Sequence, residues 1–111
     1  MHLTPLLTLL STTTLALSAA LPKHVTYCSN PSTCSSLPVQ AGQCETFAPG
    51  GFPTLIFDAG LKCSVYAEGS CMKRFGVRAG KVSKVQGVFD TYTDPRAMRN
   101  HVPTVGSFVC N

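Results

Sequence analysis

The sequence predicts an all-β fold stapled by disulfides, and three observations carry that expectation. Turn-forming residues recur at intervals of roughly eight to twelve positions, at Ser29-Asn30-Pro31-Ser32, Ala41-Gly42, Pro49-Gly50-Gly51, Asp58-Ala59-Gly60, Glu68-Gly69 and Ala79-Gly80, which is the punctuation of a sandwich or barrel. The runs between these turns are short and rich in β-branched and aromatic residues. All six cysteines, Cys28, Cys34, Cys44, Cys63, Cys71 and Cys110, lie beyond the first quarter of the chain.

The amino-terminal stretch reads differently. Residues 6–17 form one apolar run interleaved with Ser and Thr, followed by Ser18-Ala19-Ala20 and then Leu21-Pro22. That is the layout of a secretory signal peptide, with cleavage expected after Ala20. The run is too short to span a bilayer stably, and no later segment approaches the roughly 18 apolar residues that a membrane helix needs. The expected organisation is therefore a signal peptide over 1–20 and a single disulfide-rich β domain over 21–111, extracellular and monomeric. A domain of that size buries only a modest fraction of its unfolded surface, so covalent cross-links are expected to help. The cysteine intervals of 5, 9, 18, 7 and 38 residues contain no C-x-x-C pair, which favours bridges over zinc. Six cysteines allow fifteen pairings, and spacing alone leaves them open. The long final interval suggests that Cys110 ties the last strand back across the domain.

Strands are expected over 24–28, 36–40, 54–58, 61–66, 75–78, 81–89 and 104–110. In Leu61-Lys62-Cys63-Ser64-Val65-Tyr66, alternation puts Leu61, Cys63 and Val65 on one face. In the last run Val105, Ser107 and Val109 share one face while Phe108 and Cys110 share the other, so this strand is expected to be central and covered on both sides. One short helix is expected after Thr93-Asp94-Pro95, where Asp94 can cap and Pro95 can occupy the first helical position before Arg96-Ala97-Met98-Arg99. Pro103 lies soon enough to stop it.

A weak internal echo links Val25-Thr26-Tyr27-Cys28 and its following Cys34 with Leu61-Lys62-Cys63-Ser64-Val65-Tyr66 and its following Cys71, as two related units would. The pieces Cys28 and Cys34, Val39-Gln40-Ala41-Gly42-Gln43-Cys44, Cys63-Ser64-Val65-Tyr66, Cys71, and Ser107-Phe108-Val109-Cys110 resemble, in order and spacing, a group of fungal small secreted proteins with a βγ-crystallin-like fold. The resemblance implies a small disulfide-stapled β-sandwich of two Greek-key-like motifs. Many such motifs hold calcium through Asn or Asp and Ser or Thr residues preceding a final Ser. With Ser107 as that Ser, the ligand positions fall on Val102, Pro103 and Gly106, which lack side-chain oxygens, so calcium is not expected there.

Nine Lys and Arg against five Asp and Glu give a formal charge of +4, which favours encounter with anionic surfaces. Lys73, Arg74, Phe75, Arg78, Lys81 and Lys84 form the densest basic run and a candidate binding patch. Asp90-Thr91-Tyr92-Thr93-Asp94 offers an aromatic ring between carboxylates on a loop. Beyond the signal stretch only His24 and His101 supply imidazoles, and Glu68, Arg96 and His101 can be written as the base, clamp and acid of a ribonuclease without the motifs of that family. No Gly-x-Ser-x-Gly elbow occurs. No catalytic residue, metal or cofactor is expected, and nucleic acid is not an expected partner. The resemblance implies a secreted, non-enzymatic interaction protein, effector-like and acting on a host protein or an anionic cell-surface component. The alternatives are a membrane-active antimicrobial or killer-toxin-like protein and a small secreted ribonuclease.

Overall fold

Alternating side chains sort the chain into two layers. The computed structural model describes residues 22–73 and 79–111; the expected signal peptide over 1–20 and the expected strand over 75–78 lie outside the described residues. The elements in chain order are β1 (Lys23–Asn30), β2 (Thr33–Val39), β3 (Glu45–Thr46), β4 (Thr54–Phe57), β5 (Cys63–Tyr66), β6 (Lys81–Val85), β7 (Val88–Asp90), α1 (Pro95–Arg99) and β8 (Ser107–Cys110). They build two antiparallel four-stranded sheets, ordered β2-β1-β4-β7 and β3-β8-β5-β6.

Each sheet contains the first, second and fourth strands of one half of the chain and the third strand of the other. Reading the second sheet backwards gives β6-β5-β8-β3, the counterpart of β2-β1-β4-β7. The registers agree with this equivalence: Val25↔Phe57 and Tyr27↔Leu55 in one sheet correspond to Cys63↔Cys110 and Val65↔Phe108 in the other. So do the bonds that dock the exchanged strands. Phe47 N–H donates to the Gly106 carbonyl at 3.0 Å, and Thr91 N–H donates to the Pro53 carbonyl at 2.9 Å. An isolated two-way bridge between Phe52 and Val105, two residues before β4 and β8 respectively, sits where the halves meet.

The inner faces follow the expected alternation. Leu61, Cys63 and Val65 are buried, as are Leu55 and Phe57 on β4. Val25, Val82, Val85, Phe89, Val105 and Phe108 join them in one core shared by both sheets. Rings bridge the layers: Tyr27 lies 4.7 Å from Phe52 and 5.1 Å from Phe47, and Phe108 reaches both Phe47 (5.6 Å) and Phe57 (6.0 Å). Tilted and edge-on contacts of this kind add to the area that the rings bury.

β8 is interior to its sheet, between β3 and β5, as expected. Ser107, on its far face, is fully buried beneath the β5–β6 connection. Its hydroxyl donates to the Glu68 carbonyl at 2.6 Å and accepts from Cys71 N–H at 2.8 Å. Such two-sided pairing is what makes a buried hydroxyl tolerable. The preceding position must be glycine, since a Cβ on Gly106 would stand 2.5 Å from the Ala67 carbonyl oxygen.

Two expectations need correction. The run 81–89 is two strands in different sheets, because Gly87 takes a left-handed φ of 62° and turns the chain from β6 across to β4, where Phe57 N–H donates to the Gly87 carbonyl. β3 went unseen because its two residues are too few to show alternation. The internal echo is real for the strands and not for the cysteines: when the registers are aligned Cys63 is equivalent to Val25, and Cys28 to Tyr66.

All six cysteines are paired, Cys28 with Cys34 across the first hairpin, Cys44 with Cys71, and Cys63 with Cys110 between β5 and β8. The separations are 6, 27 and 47 residues. In the loop-closure picture they restrict the unfolded chain by about 2, 3.5 and 4 kcal/mol. Chemical denaturation of Cys34→Ser, Cys71→Ser and Cys110→Ser should therefore give losses rising in that order, with Cys110→Ser also stranding the buried Cys63. A Cys34→Ser protein that loses more stability than Cys110→Ser would contradict this ordering.

Candidate functional site: a cleft on the β7–β8 connection

The longest connection between strands is the segment joining β7 to β8, residues 91–106, which carries α1. Its helix begins as the sequence requires. Asp94, with extended backbone, accepts from Arg96 N–H at 2.9 Å, and Pro95 opens the first turn where no amide donor is needed. The same carboxylate holds the Arg96 guanidinium through two bonds of 3.0 and 2.7 Å. These side-chain bonds are the largest influence keeping the Asp94 carboxyl below its ordinary range, against a smaller opposing effect of burial; they raise Arg96 in turn. Arg96 also lies 5.9 Å over the Phe89 ring.

The helix ends in a left-handed cap. His101 takes φ 58°, its N–H donates to the Met98 carbonyl at 3.3 Å, and Val102 N–H reaches the Ala97 carbonyl at 2.8 Å. This is the Schellman pattern, with His in the place glycine usually takes and Val102 buried beyond it. Only Ala97 of the helix faces the core. Met98, its apolar neighbour, cannot share that face and projects outward.

The result is an open cleft of about 410 Å³ lined by Thr91, Tyr92, Ala97, Met98, His101, Val102 and Pro103. Its floor is apolar. Its rim carries Tyr92 at 81% and Met98 at 82% exposure, the two most exposed large apolar side chains among the described residues. Behind its wall the Thr91 hydroxyl is shut away from solvent and has no hydrogen-bond partner among the described residues.

The candidate residues named from sequence distribute unevenly. Of the Asp90–Asp94 loop, both carboxylates serve the loop itself, since Asp90 accepts from Tyr92 N–H at 2.9 Å and Asp94 caps α1; Tyr92 is left free to meet a partner. Of the basic run, Arg74, Phe75 and Arg78 lie outside the described residues. Lys73 is exposed, and Lys81 sets its ammonium 5.4 Å over the Tyr66 ring. Lys84 is exposed at a left-handed φ of 57°. Glu68 lines a different cleft from His101, together with Phe47 and Gly106, and Arg96 is engaged by Asp94. Met98 was not singled out as a site residue from sequence. The available signal was the pair Ala97-Met98 in a two-turn helix, where adjacency forces one of the two to solvent.

No protein-family model matches the chain, and neither a curated protein nor a solved structure matches it.

Asp94→Ala should lower stability by about 1 kcal/mol, the usual value of an N-cap side chain. Because the folded carboxyl titrates below its unfolded counterpart, the contribution of Asp94 is fully present above about pH 4 and fades as pH falls through the folded value. Denaturant titrations at pH 7 and pH 2 should show the wild-type–variant gap closing at low pH. His101→Gly should stabilise by up to about 1 kcal/mol, since glycine accepts the left-handed cap without steric cost.

Proposed function

We propose that the chain is a secreted, non-enzymatic interaction protein, a fungal effector-like factor that acts on a host, and that the cleft between the 91–92 turn and α1 is its recognition surface. The exposed pair Tyr92 and Met98 over an apolar floor carries this reading. Large apolar side chains displayed together on a small protein mark contact surfaces, and aromatic and thioether groups are the residue types that such contacts favour. The partner is a protein that inserts an apolar side chain between these two.

Secretion is supported by the signal-like layout of residues 1–20 and by the pairing of every cysteine, which requires oxidising surroundings to persist. Among the described residues no helix is long and apolar enough to cross a membrane. The resemblance to the βγ-crystallin-like group rests on the order and spacing of the sequence motifs.

The purified disulfide-bonded protein should retain a specific protein from host tissue in a pull-down. The double variant Tyr92→Ala/Met98→Ala should lose that retention at an unchanged melting temperature, because both side chains are exposed. Equal retention by the variant, or RNA cleavage or dye release from vesicles by the wild type, would contradict the proposal.

A further inference from the structure

We propose that the outer face of the β5–β6 hairpin holds a second, separate site, one for a phosphate or sulfate group, built from Lys62, Lys84, Ser64 and Ser83. Cys63 pairs with Val85 and Val65 with Val82, so Ser64 alone on β5 faces both Ser83 and Lys84 on β6. This two-against-one count is a β-bulge, a device that redirects a side chain from the face that regular pleating would assign it. Lys84 occupies the bulge at φ 57°, a conformation ordinarily left to glycine. A strained cation where glycine would relieve the strain calls for a reason, and fold stability does not supply one.

The bulge brings Lys84 into an open cleft of about 300 Å³ together with Lys62, Ser64, Ser83 and Asn111. Lys62 enters from the residue just before β5. Among the described residues neither ammonium has an ion pair and neither hydroxyl has a hydrogen bond. Two lysines lining one cleft attract an anion to it, and hydroxyls complete the donor set that an oxyanion needs. The frame is rigid: the Cys63–Cys110 bridge joins the adjacent strands, and Asn111 N–H donates to the Lys62 carbonyl at 3.0 Å. Among the described residues no aspartate or glutamate side chain lines the cleft. The site shares no residue with the Tyr92–Met98 cleft and does not rest on the function proposed for it.

The test is an NMR titration of the disulfide-bonded protein at low ionic strength, once with inorganic phosphate and once with a sulfated oligosaccharide. Saturable shifts centred on the amides of Ser64, Ser83 and Lys84 are expected. Equal affinity for the two probes would support the site as a receptor for the free oxyanion, and at least tenfold tighter binding of the oligosaccharide would support it as a receptor for a sulfated polymer. Lys84→Gly separates binding from folding, because glycine accepts the left-handed backbone: its melting temperature should be equal or higher while affinity falls at least tenfold. Lys62→Ala should also weaken binding at least tenfold. The proposal is overturned if neither probe gives saturable shifts at these amides, or if Lys84→Gly binds as tightly as the unaltered protein.

Discussion

The exchange of β3 and β7 between the two halves is the constraint on which the rest of the structure depends. Neither half completes a four-stranded sheet from its own residues, so the edge of each sheet is supplied by the other half. The Phe52–Val105 bridge and the matched bonds from Phe47 and Thr91 lock that exchange at the centre. One shared core follows, with Phe108 of the second half touching the Phe47 and Phe57 rings of the first. The bridges then act on a fold already closed: Cys63–Cys110 fastens two neighbouring strands of one sheet, and Cys44–Cys71 pins the β5–β6 connection beside β3.

Near-symmetry of the frame makes the asymmetries informative. The β3–β4 connection is the plain turn 47–53, whereas its counterpart 91–106 carries α1 and the cleft. β7 and β8 belong to different sheets, so the two ends of that connection are held by the sandwich and its exposed side chains ride on a fixed base. The first hairpin turns through two residues, Pro31 and Ser32; the second spans 67–80 and folds over Ser107. A rigid β frame with variable connections is a common way to present binding groups. The bulge at Lys84 is the same principle on a smaller scale, one extra residue aiming one side chain.

Much of the frame was legible in the sequence because its physics is local. Alternation through Leu61, Cys63 and Val65 reports a half-buried strand, and Asp94-Pro95 reports a helix start, since each signal needs only neighbouring residues. The strand exchange is not local: β3 has two residues, and the β6–β7 break shows only as Gln86-Gly87 inside a continuous β-prone run. The candidate sites were legible in part. Tyr92 stood out by residue type, and Lys84 by charge, but their companions came from elsewhere in the chain. Lys62 reaches Lys84 only through the register of β5 and β6, and Val102 reaches Thr91 only through the cap at His101.

The central claim is that the exchange welds both sheets into one cooperative unit. Native-state hydrogen exchange across a denaturant series tests it most directly, because it resolves openings of separate parts of a structure. The buried ladder amides of β1 and β4 and those of β5 and β8 should converge on a single opening free energy with a single denaturant slope, equal to global unfolding. If one sheet opens at lower free energy with a smaller slope while the other stays protected, the halves are separable and the account is wrong.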